Sequence, residues 1–517
     1  MSTNLQMKFC SVPRGTVTKE VPLTAYLIDD DWDDWNEFET VFSLRLYDQQ
    51  GARHDLGQLK IGILNMPKGL RRPKLQGSFN ELPSGYFSLG QDSSYYEKLY
   101  SLDASIRTAV LNSLKDVVDD DVLLKEALEQ RVMKISLLRF VSLSSINGQF
   151  RRILKGGLRV TKYRFSYTAA SSKAQSIEPL KLTFNVEPES SPPSNIHVLI
   201  GRNGVGKTHL LTNMSRALVE KETKQTQVGA FEYSNNPSAQ PFCNLVSVTF
   251  SAFDPFLPLA EQKDKSSGTR YSYVGLKRTT NIGGDIGTPK SPEMLSREFS
   301  KSLLNCLQGA KKDRWTSAVE MLQADQVFAD ADVASLSEHA GDEGFSKLAI
   351  SKFEKLSSGH KVVVLTIARL VDVLEERTLV LLDEPEAHLH PPLLSAFIRV
   401  LSELLVYRNG VAIIATHSPV VLQEVPKGCV WIMRRSGRQI AAERPDIETF
   451  GENVGVLTRE VFGLGVNEPG FNRLLVEAVN DSNSYEAAVK IFNDQLGGEA
   501  RAILRALTTV KNSKTEA

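Results

Sequence analysis

Polar and apolar positions alternate over Phe38–Tyr47, break at Asp48–Gly51 and resume over Leu56–Ile63. That pattern predicts two antiparallel strands and a turn, so residues 1 to about 95 read as mostly β. From Ser94 to Leu138 the spacing turns helical, with Tyr95, Leu99, Leu102, Ile106, Val110, Leu111, Leu114, Leu124 and Leu128 as the apolar face. The basic segment Gln149–Phe165, broken by Gly156 and Gly157, reads as a hairpin turning at Lys155–Gly157. Leu180–Val186 alternates again and predicts a strand.

Beyond Ile196 the pattern changes from alternating to continuous. Ile196–Ile200, Leu245–Phe250, Tyr271–Leu276, Thr378–Leu382 and Val411–Ala415 are short runs, mostly apolar without a polar face. Such runs suit strands buried on both sides, as in a parallel sheet covered by helices. Helical spacing separates them: Leu210, Leu211, Met214 and Leu218 after the first run, a long section from about Ser291 to Ile350, and Val362–Leu374. Ser291 followed by Pro292 and Glu293 is a helix start. Trp431 onward and Arg438 onward read as a closing hairpin, Phe450–Phe462 as a helix, and Tyr485 to about Val510 as a last helical stretch. The expected fold class is therefore α/β. An accessory domain, β-rich then helical, spans 1–149. A head spans 150–445 with a helical subdomain at about 285–355, and a helical extension covers 446–517.

The chemistry lies where the apolar runs end. Ile196–Ile200 leads into Gly201-x-x-x-x-Gly206-Lys207-Thr208, and a helix follows. Glycines let successive N–H groups curl around phosphate oxygens, and the helix start adds its positive dipole end. Lys207 would reach the β- and γ-phosphates and the Thr208 hydroxyl would ligate Mg²⁺. Thr378–Asp383 would deliver Asp383 and Glu384 to the C-terminal edge of the sheet, where open α/β sheets bind ligands. One carboxylate there can hold Mg²⁺ and the next can polarise a water. Binding of a nucleoside triphosphate is expected.

Composition adds limits. Lys and Arg total 61, as do Asp and Glu, so a nucleic-acid surface would have to be a local patch. Arg151, Arg152, Lys155, Arg159, Lys162 and Arg164, interleaved with Phe150, Tyr163 and Phe165, are the candidate patch for DNA. The acidic-aromatic run Asp29–Trp35 is a candidate docking loop for a protein. Four scattered cysteines fit a reducing cytosol, and no stretch approaches the roughly 18 apolar residues that span a bilayer. A cytoplasmic protein without a membrane partner is expected. No heptad repeat is sustained, so no coiled-coil arm is expected.

The order of segments resembles the ATP-binding-cassette ATPases, and within them the SMC/RecF/OLD-like branch. Leu356–Gly359 is similar to their signature motif, Asp383–Pro391 to their Walker B and D-loop segment, and His417 to their switch histidine. His388 and His390 fall inside that D-loop-like segment. The resemblance covers about 150–445. One departure is that Ser251 or Asp254 stands where a Q-loop glutamine is expected. The resemblance implies that two copies sandwich two ATP molecules. Gly201, Arg202, Asn203, Gly204, Val205, Gly206, Lys207, Thr208 and His209 would hold each nucleotide. Ser357, Ser358 and Gly359 of the opposite copy would close over it. Glu384 would be the general base, Lys207 would stabilise charge, His417 would sense the γ-phosphate, and Thr208 and Asp383 would hold Mg²⁺. A homodimer or higher even homo-oligomer follows.

Compact heads of this branch resemble ATPase subunits of bacterial antiphage systems of the Septu and PARIS type. That implies a separately encoded effector, often a nuclease. The alternatives are a RecF-like DNA-repair or DNA-structure sensor and a non-hydrolysing ATP-bound scaffold. A transporter's ATPase subunit fits the branch-specific Glu386–Pro391 segment less well.

Overall fold

The computed structural model describes residues 5–30, 34, 37–170, 179–220, 223–233, 242–250, 257–260, 269–279, 285–437, 439–463, 471–482 and 484–515, with side chains as far as 511. The replacement for the Q-loop glutamine (251–256) and Trp32 and Trp35 of the acidic-aromatic run lie outside these residues. The chain divides into two compact units, 1–453 and 454–517.

Near the N-terminus a six-stranded sheet runs in the order Ser78–Phe79, Lys8–Val12, Thr24–Asp29, Val41–Tyr47, Arg53–Ile63, Tyr86–Gly90. All neighbours are antiparallel except Lys8–Val12 beside Thr24–Asp29. Phe42, Leu44 and Leu46 point into one core, as their alternation requires. Three short helices cover the sheet: Ser93–Ser101, Ala104–Ser113 and Asp121–Leu128. Each starts on an aspartate (Asp92, Asp103, Asp120) whose carboxylate accepts from a first-turn N–H. The acidic run does not stand free where it is described. Asp34 is buried against Lys60, and Asp29 pairs with Arg72.

The hairpin expected over 149–165 does not form. Ile146–Phe150 is a π turn, Arg151–Leu154 is helical, and the first strand of the region begins at Tyr163. Ile146, Phe150 and Ile153 share one face that packs into the N-terminal core, so burial sets a helical rather than an alternating phase. Gly156 and Gly157 stop that helix: Gly156 is left-handed, and the two N–H groups donate back to Ile153 and Arg152. The strand Tyr163–Thr168 pairs instead with Lys181–Val186 and Ala230–Tyr233, around Phe165 stacked on Phe184.

The main sheet has seven strands in the order Arg270–Gly275, Asn244–Thr249, Thr378–Asp383, Val411–Thr416, Ile196–Ile200, Val430–Ser436, Gln439–Glu443. The first six are parallel and only the last is antiparallel. The three central strands are buried at every position, which is why their sequences carry no polar face. Helices Lys207–Val219, Ser358–Val373 and Pro391–Tyr407 connect and cover the sheet. Between the strand ending at Gly275 and the strand starting at Thr378 lies a helical section, led by Pro292–Cys306 with Ser291 accepting from the Met294 N–H.

The unit 454–517 holds helices Val454–Phe462, Phe471–Asn480, Tyr485–Ile491 and Gly498–Thr515. Leu475, Val479, Ala488, Val489 and Leu504 form its core. The single stretch expected from Tyr485 is broken after Ile491, where Asn493 and Asp494 adopt positive φ. Phe471–Asn480 was not legible as a helix.

Candidate functional site

The three central strands end in one rank. Register pairs Asp383 with Ala415 and Thr416 with Ile200, so the phosphate loop, the histidine turn and the carboxylates leave the sheet side by side. The strand ending at Thr416 lies between the other two, which places His417 between the loop and Glu384.

In the loop, Gly204 and Gly206 both have positive φ, at 79° and 101°, and Gly206 is the N-cap of the helix Lys207–Val219. That alternation is what turns backbone N–H groups inward as an anion nest. Gly201 is fixed for a different reason: a Cβ there would overlap the Met433 carbonyl oxygen. The closing hairpin also braces the loop, through Arg435 Nη1 donating to the Gly204 carbonyl at 2.9 Å.

Lys207 is buried, and its Nζ donates to the Gly201 carbonyl at 2.9 Å. Burial pulls its pKa down, while the charges of Glu384, Asp383 and Glu386 oppose that. The ammonium group therefore lies in the field of three carboxylates. Thr208, His209 and Asp383 line a shared cavity of about 370 Å³ beside the start of the helix. A nested loop, an inward lysine, a hydroxyl and a carboxylate at one sheet edge form a donor set that suits a magnesium-bound nucleotide.

Glu384 itself is in the left-handed region, φ 48°, with its N–H donating to the Ala415 carbonyl at 2.9 Å. For a residue with a Cβ this is a strained conformation, and such strain collects at functional sites. Glu384 Oε1 is 3.7 Å from His417 Nδ1.

Glu386, which the sequence reading passed over, does more to hold the histidine. Its Oε1 accepts from Thr416 Oγ1 at 2.6 Å and from the His417 N–H at 2.7 Å, and lies 3.2 Å from His417 Nδ1. The side chain is 9% exposed. The available signal was a third acidic residue two positions after Glu384, but nothing in the sequence alone joins it to a strand end about 30 residues later.

Ser357, Ser358 and Gly359 open the helix Ser358–Val373, with Ser357 as its N-cap. A Cβ on Gly359 would overlap the His388 carbonyl oxygen, so this helix start rests on the segment after the carboxylates. Ser357 Oγ sits 2.6 Å from His360 Nδ1. His360 Nε2 meets Asp325 Oδ1 at 3.1 Å, and His390 Nε2 meets Asp325 Oδ2 at 3.3 Å. The ligating atoms of Asp325, His360 and His390 lie within 4.8 Å of one another. His390 Nδ1, however, accepts the Leu393 N–H, which leaves the ring proton on Nε2 pointing at Asp325. The trio is a hydrogen-bonded bridge from the helical section to two helix starts. His388 Nε2 is 3.3 Å from the Phe250 carbonyl.

The cationic patch is largely neutralised. Arg151 pairs with Asp121, Arg152 with Glu376, Arg159 with Glu97 and Lys162 with Glu187. Among the described residues no helix is long and apolar enough to cross a membrane.

Protein ea59 of Escherichia phage lambda is 41% identical over 97% of this chain and 98% of its own length. The chain belongs to the ea59 family. The Septu protein PtuA of Bacillus mycoides (strain KBAB4) is 22% identical over 83% of this chain and 69% of its own. Residues 313–423 match the family described as "AAA domain, putative AbiEii toxin, Type IV TA system". That span takes in Ser357–Gly359, Asp383–Glu386 and His417. A nucleotide-free ATP-binding cassette from an ABC transporter overlaps with a TM-score of 0.27 at 13% identity, over 51% of this chain and 85% of that one. The fold class is carried by the strand order and the loop of this chain, which make this ea59-family member an α/β protein with a P-loop, ABC-type ATPase head.

Proposed function

We propose that this ea59-family chain binds and hydrolyses ATP, dimerises around it, and through that cycle regulates a separately encoded effector in antiphage defence. The observation that carries the hydrolytic part is the single rank of Lys207, Asp383, Glu384 and His417 at one sheet edge, with Glu386 holding the histidine. The loop residues Gly201–His209 would cradle the phosphates by their N–H groups. Lys207 would offset charge on the β- and γ-phosphates. Glu384, 33% exposed and held forward by its left-handed backbone, would take the proton from the attacking water. His417, at hydrogen-bonding distance from Glu386, would donate to the γ-phosphate. Thr208 and Asp383 would hold Mg²⁺, which supplies neutralising charge at the phosphates.

Phosphoryl transfer needs mainly positioning and electrostatics, and these residues supply both. Ser357, Ser358 and Gly359 rest on the carboxylate segment of their own copy, which supports their closing the nucleotide of a second copy. In this reading 1–149 is the accessory domain that meets the effector, 150–445 the head, and 446–517 an extension. The relation to the Septu protein PtuA supports the antiphage context.

Light scattering with and without Mg·ATP tests the reading on wild type and Glu384→Gln. Glu384→Gln is expected to lower turnover at least ~100-fold, since a positioned general base contributes about 10²–10⁴. It should keep ATP binding and hold a dimer that wild type releases. A mass that ignores ATP in both proteins removes the dimer mechanism, and turnover that survives the substitution removes Glu384 as the base.

A further inference from the structure

A second cavity, of about 260 Å³, lies far from the phosphate loop in the chain and carries its own chemistry. Its walls are the strands Val41–Tyr47 and Arg53–Ile63, the turn and helix start at Gln91–Lys98, Phe140, the segment Gln308–Arg314, and Arg408 just past the helix Pro391–Tyr407. Five cations line it, Lys60, Lys98, Lys311, Arg314 and Arg408, against two carboxylates, Asp92 and Asp313.

Lys60, Lys311 and Arg408 are buried, and the Arg314 side chain is 11% exposed. Lys60 Nζ donates to Asp34 Oδ2 and to the Ser136 carbonyl, both at 2.7 Å. Lys311 Nζ donates to the Asp372 carbonyl at 2.7 Å and lies 3.3 Å from Asp372 Oδ1. Arg314 and Arg408 share one acceptor atom: Arg314 Nη1 is 3.0 Å and Arg408 Nη2 2.7 Å from Asp92 Oδ2. The Arg408 Nε and the Gln91 Oε1 are buried and have no hydrogen-bond partner among the described residues. Lys60, Arg139 and Lys311 all lie over the Phe140 ring, at 5.3, 5.1 and 4.3 Å from its centroid.

These charges work against one another. Burial lowers the Lys60 pKa to about 8 against the opposing charge of Asp34, and the nearby Arg139 and Lys311 push it down further. Burial lowers Lys311 too, opposed by Asp372 and helped by Arg314 and Arg408, and Arg314 is lowered by burial and by Arg408 against the charge of Asp92. Buried like charges without enough counter-charge are costly, and a multivalent anion among them would reverse the sign of that cost.

We propose that this cavity binds a small multivalent phosphate compound, either inorganic pyrophosphate or a phosphate monoester. Exposed Lys98 marks the mouth. A neighbouring cavity of about 270 Å³ shares Asp92, Ser94, Asp313 and Arg314 and gives room for a group attached to the phosphate. The two together fall in the range of small-molecule sites, roughly 300–1,000 Å³. The bound anion joins three parts of the fold, because Lys60 belongs to the N-terminal sheet, Lys311 and Arg314 to the helical section, and Arg408 to the head.

The test uses the full chain carrying Lys207→Ala, which removes the phosphate loop as a competing anion site. Pyrophosphate and adenosine monophosphate are titrated calorimetrically against chloride of equal ionic strength, with hydrogen exchange read at 57–60 and 308–314. Saturable binding with protection of both segments is expected, weakened at least tenfold by adding Lys98→Glu, a surface change that leaves the buried pairs intact. Tighter pyrophosphate or tighter monophosphate each supports the proposal and identifies the source of the phosphate. No binding in the Lys207→Ala chain overturns it. So does binding that is indifferent to Lys98→Glu or that protects neither segment.

Discussion

Glu386 is the residue on which the geometry of the site turns. One carboxylate oxygen takes the Thr416 hydroxyl, the His417 N–H and the approach of the His417 ring, so it fixes where the histidine can point. Glu386→Ala is expected to lower ATP turnover by about 10–100-fold, the usual cost of removing a supporting partner. The KM should stay within a factor of about two, and Glu386→Gln, which still accepts the backbone N–H, should recover part of the loss. Steady-state kinetics of the two variants check this. Asp116 gives a prediction away from the site. It is buried, accepts the Val118 N–H and the Tyr96 hydroxyl, and burial pushes its pKa up to about 7 from 3.8. As pH rises from about 4 to 7 the unfolded chain ionises this group while the folded chain keeps its proton, so stability falls through that window. Asp116→Asn should match wild type near pH 4.5 and exceed it near pH 8, by on the order of 2 kcal/mol in urea unfolding.

At the level of elements, what could be read early depended on whether one local pattern sufficed. The phosphate loop and its helix were legible because glycine spacing, an apolar strand and a helical face sit within about 20 consecutive residues. The helix at Ser291 was legible because its capping residues adjoin it. The segment 149–165 was misread because Gly156 and Gly157 end a helix as readily as they turn a hairpin. Only the packing of Ile146, Phe150 and Ile153 into the core decides between them. Glu386 and Asp325 stayed hidden for a related reason, since their partners come from distant strands and helices. The helix beginning at Ser358 shows how tightly such elements meet. Gly359→Ala drives a methyl group into the His388 carbonyl, so it should lower stability by about 1–3 kcal/mol. If this helix start closes a second copy's nucleotide, ATP-driven dimer formation should fall further than the melting temperature alone explains. Calorimetry and light scattering on the same sample separate the two.

For the molecule as a whole, Asp92 joins regions far apart in sequence. It caps the helix Ser93–Ser101, and one of its oxygens receives Arg314 from the helical section and Arg408 from the head. Asp92→Ala leaves the buried Arg408 and the partly buried Arg314 without their shared acceptor. A loss of about 3–5 kcal/mol in chemical denaturation is expected, with the folded baseline of the phosphate loop unchanged. The strand order also bears on how such a chain is made. Ile196–Ile200 sits between Val411–Thr416 and Val430–Ser436, so both of its neighbours emerge from the ribosome more than 200 residues after it. At roughly 5–20 residues per second this strand waits on the order of 10–40 s, apolar except for His197 and with both edges open. The N-terminal sheet, closed among residues 8–90, needs no such wait. Nascent chains should therefore carry a finished first sheet beside a sticky, half-built second one, and chaperone shelter is needed until Thr416 and Ser436 have been translated.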